Sequence, residues 1–264
     1  LGTPTRASAI APFLQLRDGG PCTERSRSES ERLLRQLPYI ADATVSVFDE
    51  ADGTVRIEVE TIDDLRPIIG AGLRQSRLND LELGNSNIGG SGQLAALRWR
   101  EGRAFRDGFG LRYADYTLLN GPNLAIVNVA VTPLGSFAQY SFGRPFYTDL
   151  QHAAGYAGYV KDDGYTSFTR TDGDALSIRS SRERADAGIA FRLNTIGRVS
   201  WLVGALTSFE SRGWGDRVVR ITDSGFVDTT AAALSGRYQS RKSTRAGLVL
   251  GVRALTFAKA RAFD

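Results

Sequence analysis

Reactive residue types are sparse in this sequence, and none stands at a spacing that makes a catalytic set. The single histidine, His152 in "QHAAGY", has no second histidine for an HExxH pair and leaves little scope for a Ser-His-Asp arrangement. Its surroundings read as a turn. Cys22 is the one thiol, so neither an internal disulfide nor a Cys/His metal cluster can form. It reads as a small half-buried residue beside a helix cap. "GNSNIGGSG", Gly84 to Gly92, has the glycines of a phosphate cradle but lacks GK[ST] and runs into a strand rather than a helix. The pairs Asp63-Asp64 and Asp162-Asp163 read as solvated turn residues rather than a calcium site. No catalytic residue, no cofactor and no metal is expected. Function must therefore be sought in the elements that the rest of the chain builds.

Composition narrows those elements. The chain has 264 residues, a net charge of +4 carried almost wholly by arginine, and lysine only at Lys161, Lys242 and Lys259. So modest an excess does not by itself imply nucleic acid, which usually wants a concentrated basic stripe. Hydrophobic content is 42% but spread thinly, and no run approaches the ~18 residues of a spanning helix. Methionine is absent, so Leu1 is not an initiator, and no basic-then-apolar leader precedes the first elements. The chain reads as a processed form or a fragment.

Residues 1–62 predict a small α+β unit. "TPTRASAIAPFLQLRDGG" reads as a short helix ending at Gly19-Gly20. Thr23 is placed to N-cap a second helix with Glu24 in its first turn, and Leu33, Leu34 and Leu37 form its apolar face. Pro38 should end it near Leu37. Ala43, Val45 and Val47, then Val55, Ile57 and Val59, alternate with polar residues around an Asp-Gly turn, which predicts a hairpin with one buried face. A bare hairpin is marginal in water, so the helix should cover it.

Residues 63–264 read as eight or nine long alternating segments broken by Gly, Asp and Asn. Ala185, Ala187, Ile189, Phe191 and Leu193 share one face of such a segment, as do Val199, Trp201, Val203, Ala205 and Phe209 of the next. Phe109, Leu111 and Tyr113 do the same, and Ala232, Leu234, Gly236 and Tyr238 show a softer version. Lengths near the ~9–11 residues of a tilted spanning strand favour a transmembrane antiparallel β-barrel, apolar outside and polar inside. A soluble barrel reverses the faces and shares the period, so both readings stand at this point. The fold class is mainly β: a small domain over 1–62, then the N-terminal part of a barrel over 63–264.

The charged helix running into "LPYI", then "ADATV" and the Gly-turned hairpin, resembles a POTRA domain, the polypeptide-transport-associated module. A complete module carries one more strand ahead of its first helix, and that strand is missing here. "DDLRPIIGAGLRQS…LELGNSNIGGSGQLAALRW", Asp63 to Trp99, is similar to the entry into the barrel of the outer-membrane assembly family, the BamA/TamA and bacterial surface antigen type. Asn87, Gly89, Gly90 and Gly92 match its first barrel turn, and "SFGRPFY" matches a Pro-aromatic connection between later strands. "SRGWGD" superficially resembles the family's Val-Arg-Gly-aromatic plug loop but stands too early, after about the sixth or seventh strand, so Arg212 reads as part of a plain turn.

The resemblance implies a nucleotide-free insertase. Its first barrel strand, roughly Arg66 to Leu83, would offer Arg66, Gly70, Gly72 and Ser76 as a seam that templates client strands. It implies an outer-membrane location with the first domain in the periplasm. Its partners would be unfolded outer-membrane protein clients, outer-membrane lipids and accessory assembly proteins, with no nucleic acid. A transport channel with the POTRA-like unit as a tether, or a soluble lipocalin-like binder, are the alternatives.

Overall fold

The computed structural model describes residues 3–102, 105–148, 150–169, 175–196, 199–222, 225–228 and 241–254. The segment at Ala232 to Tyr238 lies outside them.

The chain opens with a four-residue helix α1 (Ala7–Ile10) and a 3₁₀ turn over Ala11–Phe13. The helix does not reach Gly19-Gly20, because Pro12 withholds the N–H that would extend it and Phe13 turns into the core at 1% exposure. Gly19 instead sits at φ +69° in a tight turn closed by the Gly20 amide on the Arg17 carbonyl. Helix α2 (Glu24–Arg35) begins as its sequence dictates, with Thr23 Oγ1 accepting from the Ser26 amide at 3.1 Å. Strands β1 (Ile40–Asp49) and β2 (Val55–Asp63) form the expected antiparallel hairpin. Leu33, Leu34 and Leu37 of the helix region pack with Ala43 and Val45 of β1, and Ile57 and Val59 close the cluster.

The remainder is one antiparallel sheet of eleven strands. In chain order these are β3 (Pro67–Arg74), β4 (Arg77–Asn85), β5 (Gln93–Arg100), β6 (Gly108–Asp115), β7 (Leu124–Thr132), β8 (Gly135–Arg144), β9 (Ala153–Thr169), β10 (Ala175–Ile196), β11 (Val199–Thr222), β12 (Gly225–Asp228) and β13 (Arg241–Ala254). Each pairs with the next up to β11; there β12 takes the distal end, Val219 to Thr222, and β13 takes Val199 to Arg212. Among the described residues no pairing joins β3 to β13, so the sheet is open and β3 is an edge.

Four sequence expectations are corrected here. Arg66 to Leu83 is not one strand: Gln75 and Ser76, at φ 50° and 61°, make a two-residue turn of the I′ kind between β3 and β4. Asn87 to Gly92 is consequently the second turn of the sheet, not the first. Asp162-Asp163 and the "SRGWGD" segment lie inside β9 and β11 rather than in turns. Strand β11 runs on past the Val199 to Phe209 alternation that marked its limit, and Arg212 stands on the ninth strand of the sheet.

Register carries one set of side chains across the whole sheet. Ile69 faces Leu83, Leu83 faces Leu97, Leu97 faces Leu111 and Leu111 faces Val129. One step along, Val127 faces Tyr140, Tyr140 faces Tyr159, Tyr159 faces Ala185 and Ala185 faces Phe209. This apolar face is uncovered: Ile69 is 75% exposed, Leu97 65%, Phe109 62% and Leu248 83%. The opposite face carries Asp80 paired with Arg98 and Arg100, the Asn128–Gln139 bond, and Glu210 between Arg182 and Arg212. On β9 and β10 the apolar face stops abruptly. Two residues beyond the Tyr159–Ala185 pair, on the same face, Lys161 meets Glu183 at 2.8 Å.

Candidate functional site

Strand β3 presents an unpaired backbone edge beside the β3–β4 hairpin, and its residues explain why it is thin. Gly70 and Gly72 share the face opposite Ile69, and a Cβ on Gly72 would come within 3.0 Å of Asp80 Cβ and 3.1 Å of Asn79 Oδ1. A Cβ on Gly70 would make only ordinary contact, 3.4 Å from Glu82 Cβ. Of the four seam candidates, the structure brings Gly70 and Gly72 together on β3. Ser76 stands in the turn. Arg66 precedes the strand and is buried, with its guanidinium on the Asp63 carboxylate and the Thr3 carbonyl.

Arg66 therefore belongs to a second cluster, which docks the first unit onto the sheet. Thr5 donates its amide to Asp63 Oδ2 at 3.2 Å and its hydroxyl to Asp63 Oδ1. Asn87, fully buried, reaches both sides of the junction: its Nδ2 donates to Thr5 Oγ1 at 2.8 Å and its Oδ1 accepts from the Gly92 amide at 2.8 Å. The Arg6 amide donates to the Gly90 carbonyl at 2.8 Å. Gly89, Gly90 and Gly92 all have positive φ, and a Cβ on Gly90 would lie 2.2 Å from the Pro4 carbonyl oxygen. Glycine is required there twice over, by conformation and by the close approach.

A line of aromatic and polar contacts extends this dock under the neighbouring turns. Tyr39 is buried, donates to the Ala9 carbonyl at 3.0 Å and meets Tyr116 edge-on at 5.9 Å. Phe13 meets Tyr147 edge-on at the same separation. Burial pushes the phenol pKa of Tyr39 and Tyr147 up, so both stay neutral. Thr148 Oγ1 donates to Glu29 at 2.7 Å, and Arg32 donates to the Tyr147 carbonyl at 2.7 Å. Burial raises the Glu29 pKa, and the hydrogen bonds from Arg32 and Thr148 outweigh it, so the carboxyl lies below its ordinary value. Arg192, buried on β10, stacks its guanidinium 5.0 Å from the Phe146 ring and donates to the Thr148 carbonyl at 3.2 Å.

Sequence reasoning singled out Arg66, Asn87, Gly89, Gly90 and Gly92 as seam and turn residues and missed their docking contacts; for the partners on the other side of the dock only the Pro-aromatic stretch at Pro145 to Tyr147 carried a signal. His152 lies just ahead of β9, with its carbonyl accepting from the Arg192 amide. Cys22 is half-buried beside the Thr23 cap. Among the described residues no cluster of His, Cys, Asp and Glu could hold a metal ion. The arrangement offers backbone pairing and surface contact.

The sequence matches no family model and no curated protein. Among solved structures the chain is similar to the crystal structure of BamA from Haemophilus ducreyi lacking POTRA domains 1-3, at 12% identity and a TM-score of 0.41. The match covers 98% of this chain and 43% of that one, so this chain spans less than half the length of that structure.

Proposed function

We propose that this protein is an outer-membrane β-sheet protein that assists strand assembly, with β3 as the edge on which an incoming client strand pairs. The observation that carries the membrane part is the uncovered apolar face running from Ile69 to Leu248. Soluble monomers rarely expose contiguous apolar patches beyond roughly 300–600 Å². A face of Leu, Ile, Val, Phe and Trp across ten strands exceeds any need of solubility, and lipid is its natural solvent. The alternations Ala185 to Leu193 and Trp201 to Phe209 are each close to the ~9–11 residues of a tilted crossing. A soluble barrel would have to turn this face inward and leave the Asp80–Arg98 and Arg182–Glu210 pairs outside.

The assembly part follows from the edge. Unpaired backbone groups in hydrocarbon cost several kcal/mol each, so a strand with an open N–H and C=O row lowers the cost of inserting another strand beside it. In this reading the side chains perform no chemistry; the unit over 1–62 is periplasmic and POTRA-like, and the clients are unfolded outer-membrane proteins. No nucleotide or cofactor takes part, and accessory assembly proteins would dock on that first unit.

A proline scan across Ile68, Ile69, Gly70 and Ala71 in vesicle-reconstituted protein tests the edge. In an edge strand alternate amides point away from the sheet. Client insertion should fall at every second position while β content holds, and the intervening positions should instead weaken the β3–β4 pairing. Uniform insertion of an unfolded barrel client across the scan would leave a plain channel as the better reading.

A further inference from the structure

Where the first unit meets the sheet there is a cleft of about 260 Å³ that the docking contacts do not fill. Its floor is apolar, made by Phe13, Leu33 and Tyr147, and its rim carries Arg17, Arg144 and His152. No carboxylate lines it, and among the described residues none pairs with either guanidinium. Both arginines are exposed. Arg144 ends β8 opposite Gly155, two residues beyond Phe142, so it continues the apolar face at its margin. Lipid acyl chains against Phe142 and Phe191 would therefore end beside this rim. Arg98, Arg100, Arg182, Arg184 and Arg212 of the sheet have acidic partners; Arg17 and Arg144 instead stand together around an apolar floor.

We infer that this cleft holds the phosphodiester headgroup of an anionic phospholipid from the leaflet next to the first unit, an inference that rests on the membrane reading above. The guanidiniums supply paired donors and positive charge for the phosphate oxygens, the His152 imidazole supplies a further donor, and the floor covers the glycerol region. The site spans both parts of the molecule, with Arg17 from the first unit and Arg144 from the sheet. A bound lipid would therefore tie the dock to the membrane surface.

The test uses the whole chain and phosphatidylcholine vesicles with and without phosphatidylglycerol, reading vesicle flotation and, after detergent extraction, co-retained lipid by native mass spectrometry. Phosphatidylglycerol should be retained in preference to phosphatidylcholine. Arg17→Gln and Arg144→Gln should each weaken retention about fivefold, the effect of one interfacial arginine, with circular dichroism unchanged. The double variant Arg74→Gln/Arg77→Gln, which removes twice the charge of either single variant but at the far end of the sheet, should leave retention intact. Equal loss in that control would mean diffuse attraction and overturn the site. Displacement of the lipid by inorganic phosphate at comparable concentration would make free phosphate the ligand and overturn the lipid assignment. Flotation without phosphatidylglycerol preference overturns this inference alone, whereas failure to float at all overturns the membrane reading and the inference with it.

Discussion

At the scale of single residues, the junction is held by groups that cannot be exchanged without leaving a partner stranded. Asn87 is the clearest, because one amide satisfies the Gly92 N–H on one side and uses the Thr5 hydroxyl on the other. Asn87→Ala should cost ~1–3 kcal/mol, the penalty of an orphaned buried group. Asn87→Asp, which keeps the acceptor for Gly92 but loses the donor to Thr5 and buries an unpaired carboxylate, should cost at least as much; denaturant unfolding in micelles reads both. Glu29 gives the junction a pH dependence. Its folded pKa lies below the ordinary 4.5, so its contribution is present above pH 4.5 and is lost as pH falls through the folded value. Protease access to the Pro145–His152 loop should rise as the medium is acidified below 4.5, and Glu29→Gln should flatten that rise. An unchanged profile in the variant would assign the effect to another group.

At the scale of elements, α2 and the β1–β2 hairpin depend on each other and on the sheet beneath them. Leu34 is fully buried in that cluster. Leu34→Ala should destabilise it by ~2–5 kcal/mol, the usual cost of such a cavity. Amide exchange should accelerate at Val45 and Ile57 while strands β9 to β11 keep their protection. Acceleration spreading equally through the long strands would mean that the unit and the sheet unfold as one body. The hairpin β3–β4 shows the reverse economy: its turn places Gln75 and Ser76 at positive φ, where neither residue type is favoured, beside a strand containing two glycines. Those two features keep the edge loosely specified.

At the scale of the whole molecule, the question is which face meets lipid. Ile189 stands on the uncovered apolar face at 51% exposure, and Ser208 stands on the other, opposite Asp186. Ile189→Arg should cost ~2–4 kcal/mol near a bilayer midplane, whereas Ser208→Arg, beside a carboxylate, should be tolerated. Folding yield into vesicles compares them, and equal tolerance would remove the lipid-facing assignment. Gly188 is no substitute as a control, because a Cβ there would lie 2.7 Å from the Tyr156 ring.

The sequence by itself determined what is local. Thr23 with Glu24 and the Leu33, Leu34, Leu37 spacing specified α2, the Asp-Gly turn specified β1–β2, and strict alternation specified the two-faced strands β10 and β11. These are decided within a few residues by capping, turn and pleat geometry. Tertiary structure alone decided the rest. A period of two says that a strand has two faces but not which is uncovered; the register from Ile69 to Phe209 supplies that. The turn at Gln75-Ser76 bears no glycine or asparagine to announce it, so β3 and β4 read as one segment until pairing folds them apart. The dock depends on partners far apart in the chain, Asn87 with Thr5 and Thr148 with Glu29, at separations of 82 and 119 residues. No local pattern encodes such a pair, because each half is an ordinary polar residue until the fold brings the other to it.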